Sequence, residues 1–227
     1  MDETWRANLK SQDIFLLLKL VSLSRRSVRG DELSDPGNPV LDSSAHVEDE
    51  RHDWSDEKSG SVSRSRAHAI SLHEQYSVRS LAVATGISKS EISNILQRCY
   101  RSGLAKLSVE AGHPVVNTKA LCEFITFGIR YVFPASMGEM TRGIATGLTA
   151  PIFGGALRAG TDFVPVWPDP KGDTSGLAVE PLFRTVPRAV RVDADLYAML
   201  ALVDSIRIGQ PREKKLAASK LEALLRG

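Results

Sequence analysis

One short segment, from Ser88 to Arg101, carries the side chains best suited to recognition chemistry. Its apolar positions recur at helical spacing and would face a core, namely Ile92, Ile95, Leu96 and Cys99. The opposite face then presents serine, asparagine, glutamine, lysine and arginine side chains. Asparagine and glutamine can form paired hydrogen bonds with adenine, lysine and arginine can reach guanine or phosphate, and serine can bond either. We therefore expect this face to recognise base edges and phosphates.

The candidate DNA-binding residues are the polar and basic ones that this helical phase turns outward, together with one arginine of the preceding helix. They are Ser88, Lys89, Ser90, Ser93, Asn94, Gln97, Arg98, Arg101 and Arg79. We predict that Asn94 and Gln97 contact bases. Lys89 and Arg101 are expected to contact bases or phosphates, on a face without carboxylates. An ordinary solvated helix in a tight helical hairpin would show the same polarity, so the pattern alone leaves both interpretations open.

Two short helices must position this face, and the sequence marks where they meet. Leu81 and Ala82 belong to a first helical pattern, which Gly86 can end because glycine adopts the left-handed conformation easily. Ser88 and Glu91 form the S-x-x-E pattern of a capping box that begins the second helix. Two helices joined this tightly, a helix-turn-helix, often present the second helix to a partner.

Further elements flank this pair of helices. Upstream, "SQDIFLLLKLVSLSRR" predicts a buried first helix, with Ser11 as its cap, Asp13 in its first turn and arginines in its last turn. Downstream, "SVEAGHPVV" contains two short β-prone pieces around Gly112, which predicts a small hairpin. The segment "NTKALCEFITFGIRYVF" then predicts another helix, capped by Asn117.

Residues 11 to 24 and 76 to 130 resemble a bacterial winged helix-turn-helix module of the MarR-like kind, chiefly through "SVRSLAVATGISKSEISNILQRCYRSGL". The resemblance implies that the second helix enters the major groove of double-stranded DNA while the hairpin, or wing, meets the backbone. By this resemblance, the recognition-helix positions are Ser88, Lys89, Ser90, Ser93, Asn94, Gln97 and Arg101. Most of the chain also resembles an uncharacterised family of small bacterial helix-turn-helix proteins, which implies no chemistry.

The second half of the chain predicts an α+β region. Residues 138 to 160 indicate a glycine-rich loop region, while "FVPVW" and "GLAVEPL" predict short strands that "PDPKGD" could join as a hairpin. Two terminal helices follow, one capped by Asp193 and one starting at Pro211. The first has an apolar stripe of Leu196, Met199, Leu200, Val203 and Ile206. Burial in the chain's own core is the commoner fate of such a stripe, and a homodimer interface through the C-terminal helices is the alternative.

Charge is segregated between two segments. From Asp31 to Lys58, ten acidic residues accompany two basic ones, whereas from Ser77 to Leu107, five basic residues accompany only Glu91. Residues 27 to 67 include almost no large apolar side chain, so we predict a disordered acidic insert. Such an insert could compete with DNA as a phosphate mimic, or it could be a solvated spacer.

Length and composition favour a globular protein of the cytoplasm. The chain has 227 residues, 42% of them hydrophobic, and lacks the run of about 18 apolar residues that a membrane-spanning helix needs. The segment "IFLLLKLVSL" is short, interrupted by Lys19 and without the flanks of a signal peptide. Cys99 and Cys122 lie within apolar helical patterns, so we expect them in the core and not in a disulfide or a metal site.

We expect neither an enzyme nor a bound metal or cofactor. The five histidines never occur at the H-x-x-x-H spacing that places two metal ligands on one helix face, and no Gly-x-Ser-x-Gly motif occurs. The segment "TRGIATG" lacks the Gly-Lys-Ser/Thr ending of a phosphate-binding P-loop. Arg142 and Asp169 could serve a small-molecule site among the glycine-rich loops, although such residues are mostly structural.

Together these patterns predict an α+β protein that is mainly helical. We expect a first helix in 1–26, the acidic insert in 27–67, a winged helix-turn-helix core in 68–132 and a C-terminal α+β region in 133–227 that dimerises or senses an effector. The expected function is sequence-specific binding of double-stranded DNA by a bacterial transcriptional regulator. The alternative is a protein-interaction role, as the regulatory partner in a two-gene defence or toxin–antitoxin system.

Overall fold

The fold is α+β and mainly helical, as the sequence predicts. The computed structural model describes residues 9–29, 74–154 and 164–226. Most of the predicted acidic insert, from residue 30 onward, lies outside them. The described α-helices are α1 (Ser11–Arg29), α2 (Val78–Thr85), α3 (Lys89–Arg101), α4 (Thr118–Phe127), α5 (Ile129–Val132), α6 (Val186–Val190), α7 (Ala194–Ile208) and α8 (Pro211–Arg226). The described strands are β1 (Ala105–Leu107), β2 (Pro114–Val116), β3 (Met137–Ala145), β4 (Pro165–Pro168) and β5 (Thr174–Val179).

Helix α1 lies at the centre of the molecule. Every residue from 14 to 18 is fully buried, so this apolar run is enclosed on all sides, unlike a surface helix with one polar face. The helix contacts both α3 and α7. It continues to Arg29, beyond the predicted boundary at residue 26, and its last turn pairs Arg26 with Asp193 and Arg29 with Asp195.

Helices α2 and α3 are joined by three residues, beginning at Gly86 and ending at Ser88. Gly86 has a φ of 70°, in the left-handed region, and ends α2 as predicted. Ser88 caps α3 by accepting a hydrogen bond from the backbone N–H of Glu91. The Glu91 carboxylate turns away from this cap and accepts hydrogen bonds from Arg98 and Gln12. Among the described residues, therefore, only one half of the predicted capping box forms.

A two-stranded antiparallel hairpin follows α3 directly. Its first strand occupies Ala105–Leu107, whereas the sequence pattern placed the first β-prone piece from Ser108 onward, so that position was wrong. The register pairs Lys106 with Val115 and leaves residues 108–113 as the connecting loop. Only residues 102–104 separate α3 from β1, whose first residue, Ala105, is buried.

The second sheet is a small closed barrel of β3, β4 and β5. Two predictions were wrong here. Residues 138–145, expected in a loop region, belong to strand β3, and β4 and β5 pair in parallel and not as a hairpin. Both strands pair antiparallel with β3. Glycines let the backbones approach closely, since a Cβ at Gly143 would collide with the Trp167 carbonyl oxygen. One at Gly176 would collide with that of Val164.

One buried carboxylate fixes the barrel to α7. Asp204 accepts hydrogen bonds from Thr146 Oγ1 at 3.0 Å and from Trp167 Nε1 at 2.6 Å. Its other oxygen pairs with Arg207 Nη1 at 2.7 Å. Buried polar groups are tolerated when they are fully hydrogen-bonded, so this network specifies how the sheet and the helix meet.

Helix α7 packs inside the protein, and its apolar stripe is buried within the chain. The stripe residues are at most 2% exposed: Leu196, Met199, Leu200, Val203 and Ile206. The stripe is therefore buried by packing within the chain, and these five side chains are not exposed to a second copy of the chain. Helix α8 packs on α7 and α4.

One continuous hydrophobic core connects the N-terminal and C-terminal halves. The predicted boundary between residues 132 and 133 therefore lies within a shared core. Cys99 is fully buried there, as predicted, and burial raises the pKa of its thiol to about 12. Cys122 is half-buried, and both thiols are free. Among the described helices, none has the length and apolar character needed to cross a bilayer.

Candidate nucleic-acid interface

Helix α3 presents a polar face on the surface of the protein. The structure exposes eight of the nine predicted residues, with Arg79 on the first turn of α2. The other seven form what we call the α3 polar face: Ser88, Lys89, Ser90, Ser93, Asn94, Gln97 and Arg101. Burial of Ile92 and Ile95 sets the rotation of the helix, so the residues between them point outward.

Arg98 lies apart from this exposed set and pairs with carboxylates. Its Nε and Nη2 donate to the two Asp13 oxygens at 2.9 and 2.7 Å, and Nη2 lies 2.8 Å from Glu91 Oε1. The Asp13 side chain is fully buried and that of Arg98 is 16% exposed. The hydrogen bond to Asp13 raises the pKa of Arg98 above its usual value. The Arg98 side chain therefore points toward α1, whereas the sequence pattern placed it on the outward, DNA-binding surface.

Glu91 brings a carboxylate to the edge of a face that was expected to have none. Its Oε1 accepts hydrogen bonds from Arg98 and Gln12, and its Oε2 lies 3.4 Å from Asn94 Nδ2. The hydrogen bond from Arg98 is the main reason that the pKa of Glu91 lies below its usual value, although burial acts in the opposite direction. Helical phase alone leaves position 91 between the buried and exposed faces, and the contact with α1 decides where its side chain turns.

The β1–β2 hairpin contacts α3 and adds one cation beside it. Lys106 is exposed in the middle of β1, directly after the buried Ala105. Lys106 contributes to the positive charge of residues 77–107 but was not predicted as a site residue, because the sequence pattern placed the first strand after Leu107. His113 stacks on Tyr76 with ring centroids 3.8 Å apart, which holds the hairpin against the segment that precedes α2.

The surface formed by α2, α3 and β1 carries positive charge. Its exposed cations are Arg79, Lys89, Arg101 and Lys106. Within residues 9–29, 74–154 and 164–226, no ion pair involves any of them. The nearby carboxylate of Glu91 is offset by Arg98, and Lys10 Nζ lies 3.8 Å from it. Such a surface attracts polyanions.

Arg142 and Asp169, the two residues suggested for a small-molecule site, make contacts around the barrel. Arg142 Nε donates to the Gly172 carbonyl oxygen at 2.6 Å. Asp169 pairs with Arg191 at 2.8 Å and accepts a hydrogen bond from the Lys171 N–H. These contacts support the turn between β4 and β5. In the described part of the chain, no group of three or more His, Cys, Asp or Glu residues could hold a metal ion.

The chemistry available on the α3 polar face is non-covalent. Hydroxyl, amide, ammonium and guanidinium groups donate to or accept from base edges and phosphates. No protein-family model, no curated protein and no solved structure matches this chain. The assignment of a function therefore depends on the geometry of this surface.

Proposed function

We propose that this protein is a winged helix-turn-helix transcriptional regulator that binds double-stranded DNA sequence-specifically. In this proposal α3 lies in the major groove, α2 crosses above it, and the β1–β2 hairpin is the wing that meets the backbone. The observation that carries the proposal is the α3 polar face. It places seven exposed hydrogen-bonding or cationic residues on one side of a helix whose other side is buried.

The dimensions of α3 suit a major groove. Its 13 residues correspond to about 20 Å of helix, and a major groove about 12 Å wide admits one helix. The N-terminal end of α3 is exposed at Ser88, Lys89 and Ser90. Its backbone N–H groups add a favourable site for a phosphate.

The exposed residues divide into base-reading and phosphate-contacting groups. Asn94 and Gln97 lie near the middle of the face, one helical turn apart, with side-chain amides suited to adenine. Lys89 precedes them at the N-terminal turn, and Arg101 follows at the C-terminal end. Lys106 extends the positive charge onto the hairpin. This order, cations on either side of amides, matches the division between positioning and sequence-reading contacts.

A protein-interaction role is the second candidate, because large apolar side chains are exposed together on α4 and α5. Phe127, Tyr131 and Val132 are 74%, 77% and 50% exposed. Exposed large apolar side chains in one place are typical of contact surfaces. Since the α7 stripe is buried, a homodimer that reads two half-sites would also need a surface other than that stripe.

Selection from a random pool of DNA duplexes, followed by affinity measurements at several salt concentrations, tests the proposal. We expect one enriched sequence, and Asn94→Ala and Gln97→Ala should each relax the preference at one base pair by roughly 1–3 kcal/mol. Lys89→Ala should weaken binding to all sequences. It should also reduce the salt slope by about 0.9 for each phosphate that the variant no longer neutralises.

Ser219→Ala, an exposed change on α8, is the matched control and should alter neither quantity. A pool without enrichment, or a footprint unaffected by both amide substitutions, would contradict the proposal. Salt-insensitive capture of a protein partner together with no DNA binding would support the interaction role instead.

A further inference from the structure

We propose that Glu91 is a positioning residue that holds the Asn94 side-chain amide in the orientation that reads adenine. The inference rests on the proposed function of α3 and assigns an A·T pair to the position that Asn94 contacts. The observation behind it is a connected set of side chains. The set runs from Asp13, buried in the first turn of α1, to the α3 polar face.

The set begins at Asp13, whose side chain is fully buried. Its two oxygens hold the guanidinium of Arg98 at 2.9 and 2.7 Å, a two-point contact that fixes both the position and the plane of that group. Arg98 Nη2 lies 2.8 Å from Glu91 Oε1. Each side chain is therefore placed by the one before it, and the buried end of the set is the most tightly held.

Gln12, in the first turn of α1, and Lys10, just before that helix, give the Glu91 carboxylate further contacts. Gln12 Nε2 donates to the same Oε1, and Lys10 Nζ lies 3.8 Å from it. With Oε1 occupied in this way, Oε2 faces the polar face and lies 3.4 Å from Asn94 Nδ2. Helix α1 thus holds the Glu91 carboxylate, whose Oε2 is the atom that contacts the polar face.

The charge of Glu91 decides which end of the Asn94 amide turns toward it. Arg98 favours the ionised carboxylate, which can accept hydrogen bonds but cannot donate them. The amide must therefore direct its NH₂ group at Oε2 and its oxygen away. One N–H is used in this contact, so Asn94 presents its oxygen and its remaining N–H to the outside.

An oxygen beside an N–H matches the major-groove edge of adenine. The Asn94 oxygen can accept from the adenine N6 amino group while the N–H donates to N7. An amide turned the other way would direct its NH₂ group outward, which suits the two acceptors of guanine. By favouring one orientation, Glu91 selects adenine over guanine at this position.

The test compares the base preferences of the full-length protein and of two variants at residue 91. The preferred site is selected from random duplexes with the wild type, and Asn94→Ala identifies the base pair that Asn94 reads. Glu91→Gln keeps the size and removes the charge, whereas Glu91→Asp keeps the charge and shortens the reach. We expect each to reduce the A·T over G·C preference at that pair by about fivefold or more, with other pairs unchanged.

Glu123→Gln is the matched control, since it removes an exposed carboxylate from α4, and it should leave the base preference unchanged. Gln12→Ala removes one contact to Glu91 without touching the Asp13–Arg98 pair, and we expect a smaller reduction of the same preference. Thermal unfolding of every variant shows whether it is folded.

Folded Glu91 variants with the wild-type preference at this pair would overturn the positioning role while the proposed function stands. If the residue 91 variants unfold, an unchanged preference in Gln12→Ala overturns it in the same way. A wild-type protein that enriches no sequence contradicts the proposed function itself. A general loss of affinity with the A·T preference intact would show that Glu91 only supports the helix, and it would also overturn the inference.

Discussion

The carboxylate of Asp13 lies inside the protein, and its charged partner is Arg98. A buried charge that loses its partner is far more costly than a broken surface ion pair, because nothing then offsets the loss of hydration. The pair joins α1 to α3 and so helps to set the position of the α3 polar face. It also explains why Arg98, a basic residue of α3, is directed inward, because a carboxylate from a distant part of the chain binds it there.

We expect Arg98→Ala to lower the free energy of unfolding by about 3 kcal/mol, because it leaves the Asp13 carboxylate buried without its partner. Urea denaturation followed by circular dichroism measures this change. Arg101→Ala on the exposed side of the same helix should change it by no more than about 0.5 kcal/mol. Equal effects of the two substitutions would contradict a structural role for Arg98.

The turn between α2 and α3 is supported by an element from the C-terminal half. Thr185, just before α6, donates its hydroxyl to the Thr85 carbonyl oxygen, and Arg188 Nη2 lies 3.4 Å from the Val83 carbonyl oxygen. A Cβ at Gly86 would lie 2.8 Å from Arg188 Nη2 and 2.9 Å from the Thr185 methyl group. The turn therefore requires glycine for two reasons, its left-handed backbone and its close neighbours.

Gly86→Ala and Gly103→Ala separate these two reasons. Both glycines have left-handed backbones, with φ of 70° and 73°, but a Cβ at Gly103 would meet nothing within 4 Å. We expect Gly103→Ala to cost about 1 kcal/mol of stability from the backbone alone, and Gly86→Ala to cost clearly more. Thermal or urea unfolding measures both. If the Gly86→Ala variant is as stable as Gly103→Ala, Thr185 and Arg188 can move away from the added methyl group at no cost, which would contradict the second reason.

Helix α7 is joined to α1 by the buried carboxylate of its cap, Asp193. Its oxygens lie 2.7 Å from Lys19 Nζ and 2.7 Å from Ser22 Oγ, and one accepts from the Leu196 N–H at 3.0 Å. Burial alone would raise the pKa of Asp193, but the Lys19 charge and these hydrogen bonds together hold it below its usual value. The stability that this carboxylate contributes is therefore present at neutral pH and lost as the pH falls through its lowered pKa.

Asp193→Asn should lower the free energy of unfolding by about 3 kcal/mol at pH 7, because Lys19 is left buried with no opposite charge at that position. The deficit should shrink as the pH falls below the ordinary aspartate value of 3.8, where the wild type loses the same contribution. Urea unfolding from pH 7 to pH 2 measures both effects. Asp173→Asn, an exposed control, should match the wild type across this range, and a deficit of Asp193→Asn that is constant with pH would contradict the assignment.

At the scale of the whole molecule, α1 packs against helices from both halves of the chain. Its residues pack in one core with α3 and α4 on the N-terminal side and with α6, α7 and α8 on the C-terminal side. A domain that shares one core unfolds as one unit unless a part can separate without exposing apolar surface. Through this shared core, the C-terminal half supports the helices that carry the surface that we propose for DNA.

We therefore expect peptides from α3 and from β3 to lose hydrogen-exchange protection at the same urea concentration. Mass spectrometry of exchange at increasing urea follows both segments in one sample. Phe15→Ala in α1 should shift both midpoints together, with a cost of about 3–5 kcal/mol, since Phe15 is fully buried in the shared core. Midpoints that shift separately would show two independent units.

Local patterns in the sequence predicted helix α3 and the turn that precedes it. Gly86 ends α2, Ser88 caps α3, and burial of Ile92 and Ile95 exposes Asn94, all as the residue types indicate. These features depend on contacts within a few residues, so a short window contains the information that determines them. The same holds for the exposed positions of the α3 polar face, whose role in DNA binding stays a prediction.

Only the tertiary structure decided the contacts between distant residues. Arg98 has the type of a solvent-facing residue, and its side chain turns inward because Asp13 of α1 binds it. Glu91 lies at the edge of the exposed face, and contacts with Arg98 and with Gln12 of α1 decide where its carboxylate turns. Likewise, β4 and β5 run parallel to each other because both pair antiparallel with β3. The glycines of β3 made its sequence resemble a loop. Such distant residues come together only when the whole core packs, so a short window of the sequence does not identify which residues will pair.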